Sequence, residues 1–225
     1  GVAARHKSLF NRLLSILAEE GTLAASNDTF TVSGALPKAR AEETFDNATI
    51  RFPEADGELR LLARCSRALA RVLRGEIDPL HLIFPNGSLA EARAIYEDSP
   101  FARTFNETIA SVIGHVRKSV PPDALVRVLE LGAGTGGTTR WVLTALQGER
   151  TTYSFTDVSP AFLEAAQVRF KDAPFLKTAL LDLERDPAEQ GFAPGSFDIV
   201  VASNVLHATT DLARSLARTR NLLAD

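Results

Sequence analysis

The sequence predicts an α/β protein in which a mainly helical region precedes a parallel β-sheet. Three observations support this fold class. Apolar side chains through residues 1–122 recur at the i, i+4 spacing of amphipathic helices. After the double proline at 121 and 122 the chain alternates short apolar strands with helices, which is typical of right-handed βαβ units. The third observation is a glycine-rich loop, residues 132–137, directly after the first of these strands.

The composition is that of an ordinary globular protein. The chain has 225 residues, of which 45% are hydrophobic and 24% charged, and these values exclude disordered, collagen-like and disulfide-rich classes. Its 25 basic and 28 acidic side chains give a net charge of −3, so no basic field favours nucleic acid or an anionic membrane. Cys65 is the single cysteine, and no apolar run reaches the roughly 18 residues of a membrane span. We therefore expect a cytoplasmic chain without nucleic-acid or membrane partners.

Local signals predict the elements of the helical region. Helical spacing and capping residues predict helices at 6–20, at 59–73, after a capping box of Ser88 and Glu91, and from Ser99-Pro100 onward. Alternation at 29–32 predicts a short strand of a small hairpin. Residues 35–56 are acidic and punctuated by proline, which predicts an extended connection.

Four short apolar strands make up the predicted sheet, at residues 126–131, 153–156, 176–181 and 197–202. Helical patterns separate several of these strands, so we expect the strands to run parallel. The sequence thus predicts a helical lid and substrate subdomain at 1–122 and a ligand-binding core at 123–225.

The glycine loop is the first candidate site. Glycines allow a ligand to approach main-chain amides at a helix N-terminus. Gly132, Gly134 and Gly137 fit the G-x-G-x-x-G pattern of nicotinamide-cofactor folds, and Asp157 follows at a suitable distance. Glu130, just ahead of the loop, would oppose a pyrophosphate and suits a ligand with a cationic amino group.

Three carboxylates end successive predicted strands. Glu130, Asp157 and Asp182 each lie at the carboxyl end of a strand, where open α/β sheets bind ligands. These acids favour a nucleoside with hydroxyl groups and a positive charge over a phosphate-rich cofactor. The spacing of His, Cys, Asp and Glu predicts no metal site.

Four motifs, in order, resemble those of class I S-adenosylmethionine-dependent methyltransferases. They are ELGAGTGG at 130–137, FTDVS at 155–159, LDL at 181–183 and FDIVVASNVLHAT at 197–209. The last motif, together with IYEDSP at 95–100, resembles the methyltransferase domains of modular type I polyketide synthases. The resemblance implies a Rossmann-like sheet and S-adenosylmethionine as cofactor. Since complete sheets of this family have seven strands, we expect the carboxyl-terminal strands to be missing.

The resemblance also implies roles for individual residues. The loop residues that back the methionine part of the cofactor would be Gly132, Ala133, Gly134 and Gly136. Asp157 would accept hydrogen bonds from the ribose hydroxyls, and Asp182 with the backbone of Leu183 would contact adenine.

Several further candidates have alternative roles. Glu130 would bind the amino group of the cofactor directly or through water. Asn204 would approach the cofactor or serve only as a turn residue. Tyr96 would close over the cofactor from the helical half or pack between helices, and Asn106 is a weaker candidate of the same kind.

His207 is the candidate catalytic base. It follows the fourth strand, where a substrate would meet the transferable methyl group, and a neutral imidazole suits removal of a proton from an activated carbon. The alternative is a histidine that caps a helix or lies in a loop. The resemblance implies a glutamate further along the family's sequence that orients the histidine, and we expect that glutamate to lie beyond Asp225.

The resemblance implies C-methylation of the α-carbon of a β-ketoacyl chain on an acyl carrier protein. The expected partners are that carrier protein, the neighbouring synthase domains and the acyl thioester. O-methylation of a β-hydroxyacyl chain by the same histidine is one alternative. A non-catalytic methyltransferase-like domain and a nicotinamide-binding domain are the others.

Overall fold

The computed structural model describes residues 1–27, 29–34, 40–85, 89–146 and 150–224. The chain forms two compact units, Gly1–Ile95 and Tyr96–Asp225. Helix α6, Pro100–Ser119, lies in the second unit, where it packs on the first helix after the glycine loop. The lid and core roles that the sequence assigns to 1–122 and 123–225 stay predictions.

The first unit is mainly helical. Its helices are α1 Lys7–Glu19, α2 Ala41–Arg51, α3 Asp56–Leu73, α4 Leu80–Ile83 and α5 Ala90–Arg93. Strands β1, Leu23–Ser26, and β2, Thr29–Val32, pair antiparallel. These elements confirm the predicted helices at 6–20 and 59–73 and the predicted hairpin strand.

The prediction of an extended connection over 35–56 is wrong, because α2 occupies much of it. Glu42 lies in the first turn of α2, where the positive end of the helix dipole stabilises a carboxylate. Arg67 of α3 holds α2 from the side: it pairs with Glu42 and lies 5.8 Å from the centroid of the Phe45 ring. Residues 35–39 of that prediction lie outside the described residues.

The second unit alternates helices and strands around one sheet. A π-helical turn, Ala94–Asp98, leads to Ser99, whose hydroxyl accepts a hydrogen bond from the backbone N–H of Ala102 at 3.2 Å and so begins α6 as predicted. The elements that follow are β3 Val126–Leu131, α7 Gly137–Ala145, β4 Thr151–Asp157, α8 Pro160–Arg169, β5 Leu176–Leu180, β6 Ile199–Ala202 and α9 Leu212–Leu222. Within the described residues, no helix combines the length and the apolar character that crossing a membrane requires.

The four strands of the second unit form a parallel sheet in the order β5-β4-β3-β6, which confirms the predicted α/β fold. Glu130 of β3 lies opposite Phe155 of β4 and Val201 of β6. Strand β6 begins at Ile199 rather than at 197, because Phe197 instead makes a single parallel bridge to Leu223. The strands end along one edge, which we call the carboxyl rim.

Apolar side chains cover both faces of this sheet, as parallel strands require. On one face Val128 and Phe155 pack with Val142 of α7 and Leu163 of α8. On the other face Leu129 of β3 belongs to a second buried cluster, whose other members are Leu131, Leu181, Leu183, Phe197 and Leu222. Strand β3 is therefore anchored on both sides, and it carries the glycine loop at its carboxyl end.

Candidate active site

The glycine loop between β3 and α7 uses three left-handed backbone conformations. The φ angles of Gly132, Gly134 and Gly136 are 54°, 54° and 79°, a region that favours glycine. A Cβ at Gly132 would come within 2.3 Å of Val205 Cγ2, and one at Gly136 within 2.7 Å of the Phe170 ring. A Cβ at Gly134 would meet no atom closer than the carbonyl oxygen of Gly132 at 3.9 Å. Two of the glycines thus allow close packing, whereas Gly134 faces open space where a ligand can approach.

Asp157 fixes the glycine loop from the end of β4. Its Oδ2 accepts a hydrogen bond from the backbone N–H of Gly134 at 3.0 Å, and its Oδ1 accepts one from the N–H of Ser159 at 2.9 Å. The next loop residue, Ala133, donates its N–H to the carbonyl of Thr156 at 2.8 Å. The structure therefore brings Asp157 and the loop together, and each carboxylate oxygen keeps a lone pair for a further donor.

Asp182 and Leu183 follow β5 on the same rim. Asp182 Oδ1 accepts a hydrogen bond from the N–H of Glu184 at 2.8 Å, and the amide side chain of Gln190 bonds both the N–H and the carbonyl of Asp182, at 2.8 and 2.9 Å. The side chain of Leu183 is buried in the second apolar cluster, and its carbonyl accepts from Arg218 at 2.7 Å. The turn at 182–184 is therefore rigidly supported. Sequence reasoning missed Gln190, which no spacing pattern connects to Asp182.

Glu130 lies within the core beneath α7. The residue is 1% exposed, and its Oε2 accepts hydrogen bonds from the hydroxyls of Thr139 at 2.6 Å and Tyr153 at 2.5 Å. Burial raises the pKa of Glu130 to about 7, although both hydroxyl bonds act in the opposite direction. Burial, and then the charge of Glu130, raise the pKa of Tyr153 as well. Contact with a cofactor amino group stays a prediction, and the observed bonds join β3, β4 and α7.

The segment after β6 carries the predicted base. Asn204 is exposed and left-handed, with a φ of 53°, and Val205 packs against Gly132. His207 follows in a short 3-10 turn, Leu206–Ala208, and its side chain is exposed. The left-handed backbone of Asn204 fits the turn-residue alternative, because asparagine tolerates this region better than most residues.

His207 and Asp157 lie on the same rim. Asp157 bonds Gly134, and Gly132, two residues earlier, packs on Val205, two residues before His207. Strand β3 lies between β4 and β6, so the residues that follow these strands flank the glycine loop from opposite sides. The predicted ribose acceptor and the candidate base therefore border one glycine loop.

Tyr96 and Asn106 approach the start of α7. Asn106 is buried, donates its amide to the carbonyl of Tyr96 at 3.2 Å and accepts from the Thr138 hydroxyl at 2.8 Å. The Tyr96 carbonyl is so close to Gly137 that a Cβ there would come within 2.7 Å of it. Tyr96 is 39% exposed, and its carbonyl lies beside Gly137 at the end of the glycine loop. This position suits the predicted closure over a cofactor, which stays a prediction.

Glu97 and Arg169 form a buried ion pair that sequence reasoning missed. The guanidinium of Arg169 donates to both carboxylate oxygens of Glu97, and its Nη1 also donates to the carbonyl of Thr135 in the glycine loop at 2.9 Å. The two side chains are 4% and 21% exposed, respectively. Glu97 lies inside the motif at 95–100, but its partner is 72 positions away and no spacing rule connects them. The pair fixes the π-helical turn to the loop.

These contacts fit a nucleoside better than a metal. The rim offers open space at Gly134, free acceptor capacity on Asp157 and the N-terminus of α7. No group of three or more His, Cys, Asp or Glu side chains suited to a metal ion occurs within the described ranges.

The sheet, the glycine loop and the acid at the end of β4 are those of a class I methyltransferase. The family described as "Methyltransferase domain" matches residues 129–225, so this part of the chain belongs to that family.

Individual relatives and solved structures show a narrower similarity. Polyketide synthase ThaG of Burkholderia thailandensis is 46% identical over 161 residues, which cover 70% of this chain and 3% of ThaG. The CurJ carbon methyltransferase, known from a crystal structure, has 42% sequence identity to this chain, and the two structures superpose with a TM-score of 0.93. The match covers 100% of this chain and 60% of the CurJ chain. The trans-methyltransferase CalH, in complex with SAH, is 26% identical with a TM-score of 0.75 and corresponding coverages of 100% and 62%. The chain is similar to methyltransferase domains of polyketide synthases and spans only part of these relatives.

Proposed function

We propose that this chain is the S-adenosylmethionine-dependent methyltransferase domain of a polyketide synthase, and that it methylates the α-carbon of a β-ketoacyl chain. The single observation that carries this proposal is the packing of Val205 on Gly132. It joins the segment of His207 to the same glycine loop that Asp157 binds. The carbon methyltransferase CurJ and the synthase ThaG support the choice of reaction and of context.

The proposed cofactor site follows the carboxyl rim. Asp157 accepts the ribose hydroxyls, the open backbone at Gly134 lies against the methionine part, and Asp182 with the Leu183 backbone contacts adenine. Tyr96 covers the site from the π-helical turn. CalH, a structural relative, holds SAH, which supports a cofactor of this class. S-adenosylmethionine supplies an electrophilic methyl group when it is bound.

His207 is the proposed base. Its exposed imidazole takes the proton from the carbon between the two carbonyls of the acyl chain, and the electrons of the broken C–H bond form the enolate. The glycine loop and Asp157 hold the electrophile in place, so that the carbon nucleophile meets it in an aligned pose.

The acyl chain is proposed to arrive as a thioester on an acyl carrier protein. The neighbouring synthase domains are the other proposed partners, since ThaG is a much longer polyketide synthase. The helical residues 1–122 are the proposed lid and platform for the acyl substrate.

Cofactor binding is the first test. Isothermal titration of the chain with SAH should give a single site, and Asp157→Asn should weaken it about tenfold, since a charge-assisted acceptor is replaced by a neutral one. A folded chain that binds NAD but not SAH would refute the proposal.

The reaction is tested with β-ketoacyl and β-hydroxyacyl thioesters, and mass spectrometry identifies the methylated atom. His207→Ala should lower turnover about 100- to 10,000-fold, because a positioned base is lost. His115→Ala is the control, since His115 bonds the carbonyl of Ser111 within α6, away from the rim. Methylation of the hydroxyl group alone would establish the O-methyltransferase alternative instead, and a His207→Ala variant with unchanged turnover would exclude the proposed base.

A further inference from the structure

The turn that carries His207 is held at both ends. At its amino end Val205 packs on Gly132. At its carboxyl end Thr210 donates two hydrogen bonds to Glu184, from its backbone N–H to Oε1 and from its hydroxyl to Oε2, both at 2.6 Å. The histidine lies between two anchors that belong to different loops of the rim.

The turn is also closed within itself. The N–H of Ala208 donates to the carbonyl of Val205 at 2.9 Å, and the hydroxyl of Thr209 donates to the carbonyl of Leu206 at 2.8 Å. These local bonds set the shape of the turn but not its position on the rim. The position therefore depends on the two anchors.

Glu184 is itself fixed by the loop after β5. Its N–H is bonded by the carboxylate of Asp182, whose backbone is held by Gln190. The hydroxyl and backbone hydrogen bonds from Thr210 lower the pKa of Glu184, so the acceptor is ionised at neutral pH. Bonds to an ionised acceptor are stronger than bonds between neutral groups.

We propose that Glu184 is a positioning residue for His207, which it holds through Thr210 against the loop of Asp182 and Leu183. This inference rests on the proposed function, because it takes His207 as the base and the 182–183 backbone as the adenine contact. It adds that the proposed adenine end and the base are mechanically connected, so that occupancy at 182–183 changes the environment of His207.

The test uses the isotope-labelled 225-residue chain and needs no turnover. The imidazole signals of His207 are assigned by their loss in His207→Gln, and amide exchange is measured at Thr210. Without ligand, Glu184→Gln should speed exchange of the Thr210 amide about tenfold and shift the His207 signals, because a charged acceptor is lost. On titration with SAH, Glu184→Gln should retain an affinity within about threefold of the wild type, since Asp157 and the glycine loop are untouched. The SAH-induced shift of His207 should fall by more than half.

Three variants separate positioning from general loosening. Thr210→Ser keeps both donors and should behave as the wild type, and Thr210→Val loses only the hydroxyl and should give an intermediate result. Asp211→Ala removes the carboxylate that caps α9 by accepting from the N–H of Arg214 at 3.0 Å, but leaves both bonds to Glu184 in place.

The positioning role is wrong if Asp211→Ala shifts His207 as far as Glu184→Gln does, or if Glu184→Gln leaves His207 unchanged. A wild-type chain that does not bind SAH would instead contradict the proposed function. In that case the ligand-free comparison of Glu184→Gln with Asp211→Ala still decides whether Glu184 positions the histidine.

Discussion

The two sides of the carboxyl rim are built in different ways. The loop side, residues 130–137 with Asp157, rests on buried polar groups and on the ion pair of Glu97 and Arg169. The histidine side, residues 203–210, is largely exposed and depends on the contact of Val205 with Gly132 and on surface hydrogen bonds. A buried polar group that loses its partner destabilises the fold, whereas an exposed group that loses its partner forms hydrogen bonds with water instead. Changes on the loop side should therefore lower stability, and changes on the histidine side should alter function with little effect on folding.

The largest effect is expected from Arg169→Gln. It leaves the Glu97 carboxylate buried without its cation, which should cost about 3 kcal/mol of folding stability. The measurement is urea unfolding at neutral pH. Arg127→Gln is the matched control, because Arg127 also pairs with a carboxylate, Asp198, but both side chains are about one-third exposed, and its loss should cost about 1 kcal/mol or less. Equal losses of stability in the two variants would show that the buried ion pair stabilises the fold no more than the exposed one.

Alanine at two glycines should separate packing from ligand access. Gly132→Ala combines a left-handed backbone with a collision against Val205, and we expect a loss of about 2 to 3 kcal/mol. Gly134→Ala has the same backbone cost without a collision, so its stability should fall by only about 1 kcal/mol. Thermal unfolding with and without SAH measures both effects. In Gly134→Ala, SAH should lose most of its stabilising effect. If the stabilisation by SAH is fully retained, SAH does not bind at this loop.

Glu130 should make stability depend on pH. Its pKa is about 7 in the folded chain against an ordinary value of 4.5, so the folded state binds the proton more tightly. The stabilisation is complete below the unfolded value and is lost as pH rises from 4.5 through 7. Between about pH 5.5 and about pH 8, the wild type should lose about 2 kcal/mol relative to Glu130→Gln, which cannot ionise. Parallel pH profiles of the two proteins would contradict the burial described for this carboxyl group.

The smallest effect is expected on the histidine side, at Asn204. Asn204→Gly removes a side chain from a left-handed position and should raise stability by about 0.5 kcal/mol or less. The titration with SAH decides between the two roles that the sequence leaves open. Unchanged affinity identifies a turn residue, and an affinity that falls about tenfold identifies a contact with the cofactor.

The sequence predicts the elements whose signals are local. The strands that carry Glu130 and Asp157 are uninterrupted buried runs, and Ser99 with Pro100 marks the start of α6 by capping chemistry. The helix at Ala41–Arg51 escapes prediction because its support comes from Arg67, 25 positions beyond Glu42.

The site shows the same division between local and distant information. The acids at strand ends could be placed on one rim because parallel strands end together. The strand face of Glu130 could also be predicted, because side chains alternate along β3 and Glu130 therefore lies on the same face as Val126 and Val128. The partners of Glu97 and Thr210 were not readable, because Arg169 and Glu184 are distant in sequence and meet these residues only after folding.

The π-helical turn at Ala94–Asp98 constrains the length of the motif around Tyr96 more strongly than its amino-acid types. A π turn holds one residue more than the α-helical path between the same ends. Deleting a single residue there would return the turn to the α-helical path and shift the residues inside it by one position, about 100° around the helix axis. The Tyr96 carbonyl would then move away from Gly137, and Glu97 would leave its arginine, although every side chain of the motif but one remained. Natural variants should therefore accept substitutions in this turn more readily than changes in its length.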